Sequence, residues 1–145
     1  MRSKLLEEEA GRRAFALAFE EGEEVAEGLA AFAREQGLDG SSFTAIGALM
    51  DVTLGFWNPG ARDYERIPLH EQLEVVSLSG NVARAPDGSP RVHAHLVVSG
   101  RDGRAHGGHL LEAHVRPTLE VVVTELPRHL QRRTDQATGL ALLEP

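Results

Sequence analysis

The run Thr118 to Leu126, TLEVVVTEL, constrains the fold of this chain more than any other stretch. Its β-branched residues favour a pleated strand, and Pro127 stops it. Val121 to Val123 is apolar on both faces of that strand, and so is Ala45 to Leu49 upstream. A strand buried on both faces needs a cover on each side. The chain offers one convincing helix to supply it. Glu23 to Gln36 carries acids in its first turn and an apolar stripe of Val25, Leu29, Phe32 and Ala33, and Gly37 is placed as a C-cap. One helix covers only part of one sheet face, so the other face is expected to meet a neighbouring subunit.

The remaining elements read mostly as strands. In Arg13 to Glu20, Phe15, Leu17 and Phe19 alternate with alanines. Ser42 to Met50 and Val52 to Trp57 read as two neighbouring strands, with Gly47 and Gly55 marking bulges or tight backbone contact. Asn58-Pro59-Gly60 is a turn, and Tyr64 to Leu69 is a short extended piece that Pro68 confines to an edge or a strand end. Leu73 to Val82 is a strand, Ala85 to Pro90 a loop, and Leu140 to Leu143 a short last strand. Met1 to Gly11, with three glutamates in a row, reads as a solvated end or a frayed turn. The organisation expected is a polar N-terminal end over 1–12 and one domain over 13–145. One helix and seven or so strands make a single α+β domain with a central, mostly antiparallel sheet.

Length and composition narrow the function classes. A chain of 145 residues suits one domain with a sizeable core, and 41% apolar content argues against a disordered chain. A formal charge of -7 is unfavourable for strong non-specific binding to nucleic acid, which needs a basic footprint. The absence of cysteine removes disulfides and a catalytic thiol, and it fits a cytoplasmic location. No apolar run approaches the length of a membrane span, and Met1 to Ala10 lacks the apolar core of a signal peptide.

Four of the seven histidines fall between Arg91 and Leu111, in RVHAHLVVSGRDGRAHGGHLL. His93 and His95 lie two residues apart in a strand-like run, so they share a face and sit roughly 7 Å apart. Ser99 to Gly103 signals a turn that would return His106 and His109 toward them. Such a hairpin makes a plausible three-histidine metal site, with carboxylate or water as the only other ligands a cysteine-free chain could add. The alternative is a polar outer strand face and nothing more.

These residues resemble the plants-and-prokaryotes-conserved domain. The resemblance runs through LEVVSLSGN at Leu73 to Asn81, RVHAHLVVSGRDGRAHGGHL at Arg91 to Leu110, and PTLEVVVTEL at Pro117 to Leu126. It extends upstream through FEEGEEV and FTAIGALMDVTLGFW, and downstream through RRTDQATGLALL, in the form of a stand-alone prokaryotic member. It implies an α/β domain with a largely antiparallel sheet, assembled as a homotrimer. It also implies that the His-X-His and Gly-Gly-His positions, here His93, His95 and His109, hold zinc or another divalent metal. His106 and His114 fall outside that pattern. Plant members carry the domain behind Arg-Gly-Arg-Pro minor-groove binders, and this chain has no such tetrapeptide.

Other constellations carry less. Glu74 and Glu120 each precede a valine run; each is either a carboxylate beside the histidines or an outward-facing residue of a half-exposed strand, and the second reading is preferred. Serines lack a GxSxG context, and Gly100 to Gly108 matches no phosphate loop. Arg128, His129, Arg132 and Arg133 read as a solvated basic surface, with a small anion patch as the alternative. The expectation is therefore a trimeric divalent-metal-binding protein. A water at the fourth metal position would permit hydrolytic or lyase chemistry, without naming a substrate, a ligand or catalytic residues. A DNA-associated regulator and a protein-interaction scaffold are the alternatives.

Overall fold

The structure, a computed structural model, describes residues 1–144. Its elements are β1 (Arg2–Glu9), β2 (Arg12–Glu20), α1 (Val25–Gln36), β3 (Gly40–Asn58), β4 (Asp63–Leu69), β5 (Leu73–Arg84), β6 (Pro90–Ser99), β7 (Ala105–Glu125), β8 (Gln131–Thr134) and β9 (Ala141–Glu144). All nine strands join one sheet, ordered β1-β2-β7-β3-β5-β8-β9, with β4 on β3 and β6 between β5 and β7. Every pairing is antiparallel except the single β5–β8 contact at Arg84 and Gln131. β3 pairs with β5, β5 with β6, β6 with β7 and β7 with β3, so these four strands close a circuit. This is the α+β domain expected, with one helix and a mostly antiparallel sheet.

The helix forms where its stripe and caps predict. Glu24 is the N-cap, its carboxylate accepting from the Glu27 N–H at 2.6 Å, and Gly37 closes the C-terminus at φ 65°. Val25, Leu29, Phe32 and Ala33 are its buried face. They pack with Phe15, Leu17 and Phe19 of β2 and with Leu119, Val121 and Val123 of β7 in one core. Phe15 meets Phe32 edge-on, ring centres 5.1 Å apart. Each such aromatic contributes about 1.5–3 kcal/mol by leaving water.

Among the described residues no helix lies over the opposite sheet face. Ile46, Val76 and Val122 are 62%, 58% and 49% exposed there. With Ala16, Ala18 and Thr44 they line an open groove of about 780 Å³. Val122 points outward between the buried Val121 and Val123, so this run is apolar on both faces as its sequence implies.

Three expectations need correction. Ser42 to Met50 and Val52 to Trp57 are one continuous strand, β3, and not two neighbours. Asp51, the polar residue that breaks the apolar run, stays in the strand because the His114 ring across the ladder hydrogen-bonds its Oδ1 at 2.8 Å. Met1 to Gly11 is solvated, yet it is not frayed: β1 pairs along β2 from Arg2 opposite Ala18 to Glu9 opposite Arg12. Arg132 and Arg133, read as part of a solvated basic surface, lie in the short strand β8. The bulge expected at Gly47 is present: the register with β5 shifts between Ala45 and Gly47, at φ 147°. A Cβ there would lie 2.3 Å from the Thr118 carbonyl oxygen, so only glycine fits.

Candidate metal centre

β6 alternates buried Ala94, Leu96 and Val98 with outward His93, His95 and Val97. The strand ends in a tight turn, where the Gly103 N–H donates to the Gly100 carbonyl at 2.9 Å and the Gly100 N–H to Arg104 at 3.1 Å. β7 then runs back in register, so that His109 lies opposite His95. The three ring centres are 5.1–5.2 Å apart, close to an equilateral triangle. One nitrogen from each ring falls within 4.8 Å of the other two. His109 Nδ1 and His95 Nε2 are 3.5 Å apart. Two ligands at tetrahedral angles, each about 2.0–2.1 Å from a zinc ion, stand about 3.3–3.4 Å apart. The residues present therefore fit such an ion, with only neutral nitrogen donors and one coordination position left over.

The electrostatics favour the unprotonated form of His93 and His109. Burial lowers the His109 pKa to about 4, helped by His93, His95, Arg91 and Arg132. Burial lowers that of His93 as well, helped by Arg132, His95 and Arg91. A neutral imidazole offers the lone pair that a metal needs.

Tyr64 of β4 stacks on His109, ring centres 4.5 Å apart and planes 16° apart, and meets Trp57 edge-on at 5.2 Å. Gly55 of β3, paired with His109, makes room for this stack: a Cβ would stand 2.8 Å from the Tyr64 ring. Burial raises the Tyr64 pKa, which holds its hydroxyl neutral.

Beside the triangle lies a cavity of about 150 Å³ lined by Tyr64, Arg91, His93, His109, Arg132 and Leu140. The basic cluster expected as a solvated surface divides here. Arg128, His129 and Arg133 are exposed, whereas Arg132 is only 5% exposed. Its Nη2–H donates to Asn81 Oδ1 at 2.6 Å and its Nη1–H to the Ala141 carbonyl at 3.0 Å. Asn81 pairs with His93 across β5 and β6, which brings the guanidinium to the histidines.

The structure brings His93, His95 and His109 together and leaves the other sequence candidates apart. His106 is exposed opposite Val98. His114 is engaged with Asp51, whose hydrogen bond raises its pKa. Glu74 and Glu120 are exposed and share a shallow cleft with Ile46 and Thr118, so the outward-facing reading holds. Sequence reasoning missed Tyr64 and Arg91 at this site, and it named Arg132 only within a basic cluster, with an anion patch as the less favoured reading. Arg91 carried a signal, because residues 91, 93 and 95 of one strand share a face.

A family model described as the Plants and Prokaryotes Conserved (PCC) domain matches residues 6–127. The bifunctional protein GlmU of Synechococcus sp. (strain JA-3-3Ab) is 36% identical over 130 residues, which is 88% of this chain. The chain spans 20% of that relative's length. Among solved structures, a metal-containing protein from Archaeoglobus fulgidus is 34% identical at a TM-score of 0.83, covering 91% of this chain and 93% of its own. A plant- and prokaryote-conserved protein from Pyrococcus horikoshii is 30% identical at 0.85, covering 99% and 95%. A candidate DNA-binding protein from Bacteroides thetaiotaomicron is 27% identical at 0.86, covering 98% and 96%.

Proposed function

This chain belongs to the plants-and-prokaryotes-conserved domain family, and from that premise we propose that it binds a divalent metal, zinc or a similar ion, through His93, His95 and His109. The observation that carries this reading is the triangle of three imidazoles, with 3.5 Å between the His95 and His109 nitrogens. The metal-containing description of the Archaeoglobus relative agrees with it. Three protein ligands leave a fourth position for water or a small ligand, as in catalytic zinc sites. An ion there would supply Lewis acidity and a more acidic bound water. The chain's own part is to hold three neutral nitrogens in place and to keep the Tyr64 ring against His109.

The assembly we propose is a homotrimer with one metal per chain. The bare groove of Ile46, Val76 and Val122 supports a subunit contact, because single chains rarely leave so apolar a face in water. The number three comes from the family resemblance. The test of the metal reading is elemental analysis of the purified chain, with zinc added to metal-free protein. About one ion per chain and a raised melting temperature are expected, and both should be lost when His93 and His95 are replaced together by Ala. Metal-free protein whose melting temperature and histidine resonances ignore added zinc overturns the reading.

A further inference from the structure

Arg132 is the feature that a metal-binding role leaves unexplained. Its side chain is 95% removed from solvent by its 5% exposure, and its Nε is buried with no hydrogen-bond partner. Its two bonded nitrogens meet neutral oxygens, of Asn81 and Ala141. Among the described residues no carboxylate forms an ion pair with it, nor with Arg91, the other guanidinium lining the same cavity. Leaving a buried charge without a counter-charge is costly, and guanidinium is deprotonated only under extreme conditions. A divalent ion on the three neutral histidines would add two more positive charges next to both arginines. The cavity thus gathers cationic groups with nothing to neutralise them.

We propose that this cavity is the site of a small oxyanion, held by Arg132 and Arg91 and completing the coordination of the metal. The inference rests on the metal reading above and adds the ligand class. A carboxylate or phosphate oxygen suits both partners: it accepts charge-assisted hydrogen bonds from guanidinium and it ligates a divalent ion. The volume of about 150 Å³ restricts it to a group of a few heavy atoms, such as a phosphate or the carboxyl end of a short-chain acid. Leu140 and Val92 at the wall would face the non-ionic part of such an acid. Metal and anion then bind together, since the anion offsets the repulsion that the arginines exert on the metal and the metal adds to the attraction that the arginines exert on the anion.

Cobalt(II) in the intact chain tests this, because its visible spectrum reports the ligands of a tetrahedral site. In chloride-free buffer, acetate and inorganic phosphate are titrated separately into the cobalt protein, and cobalt affinity is measured with and without each. The expected result is a changed spectrum and cobalt affinity raised by about tenfold or more by at least one anion, with the stronger of the two identifying the carboxylate or phosphate source. Arg91→Gln and Arg132→Lys should each weaken the anion response by about tenfold, as expected for losing one charge-assisted hydrogen bond. Arg91 is exposed, so its variant remains informative if Arg132→Lys disturbs β8. Cobalt that binds but ignores both anions overturns this proposal and leaves the metal reading intact. An anion response that Arg91→Gln and folded Arg132→Lys both leave at the wild-type level also overturns it, since the anion would then need no guanidinium. Failure to bind cobalt under any condition overturns both.

Discussion

His109 lies between His95 and the Tyr64 ring, and its environment holds its pKa near 4, first by burial and then by nearby cations. In the unfolded chain the same group titrates at its ordinary value of 6.5. Between those values the unfolded chain takes up a proton that the folded one refuses. Stability contributed by the neutral ring is therefore complete above pH 6.5 and declines as pH falls toward 4. His93, also lowered, acts in the same direction. His114 acts in the opposite one: Asp51 raises its pKa, so its contribution is present below 6.5 and fades as pH rises through the raised value. Denaturant titrations of metal-free protein across pH 4 to 8 should find a smaller acid decline in His109→Gln, and a smaller alkaline decline in His114→Gln. Equal slopes in wild type and His109→Gln would refute the low pKa. The zinc-induced gain in melting temperature should also shrink as pH falls, because the ion needs unprotonated rings.

Among the elements, β7 has the widest reach. Its residues 118–124 pair with β2, residues 109–125 with β3, and residues 105–109 with β6, so one strand ties the core to the three-histidine cluster. The core half was legible in TLEVVVTEL, and α1 was legible in its stripe, because both patterns are local and have inside–outside periodicity. His93 and His95 were legible for the same reason. β1 was not, since a strand with every residue exposed has no such periodicity and is placed chiefly by its backbone pairing with β2. The continuity of β3 was hidden by Asp51, whose partner His114 is 63 residues away. Arg132 was legible as part of a basic cluster, but its place beside the histidines was not, because only the fold brings β8 beside Asn81. At Gly55 the crowding permits a direct test. An alanine methyl would press on the Tyr64 ring at 2.8 Å and on Leu111 at 3.1 Å. Gly55→Ala should cost about 1–3 kcal/mol of stability by overpacking. It should also weaken zinc binding, as Tyr64 is pushed off His109. Calorimetry of unfolding and zinc titration check the two effects separately, and unaltered zinc affinity would separate Tyr64 from the site.

At the scale of the whole molecule, charge and apolar surface point to different partners. The formal charge of -7 opposes the electrostatic attraction that sequence-independent DNA binding requires. Fluorescence anisotropy with duplex DNA at moderate salt should therefore show no saturable binding at micromolar protein, and salt-sensitive submicromolar binding would revive the DNA-associated reading. In the proposed assembly the uncovered groove meets another copy of the chain. In an isolated chain, replacing an exposed Ile46 or Val122 should change stability little, usually within about 0.5 kcal/mol. In a trimer the same residues lie in a dry contact, and a charge placed there has no water to solvate it. Ile46→Lys with Val122→Lys should thus convert trimer to monomer in sedimentation while the circular dichroism of the folded sheet persists. All three histidines belong to one chain and lie on β6 and β7, away from both substituted positions, so the monomer should still take up about one zinc. Wild-type protein sedimenting as a monomer at micromolar concentration would refute the assembly. A double variant that stays folded and monomeric but loses zinc would instead place a subunit contact in the support of the metal centre. Val97 is the residue through which such support would pass. It follows His95 on the same outward face of β6, is 37% exposed, and pairs with Ser77 of β5, which lines the groove.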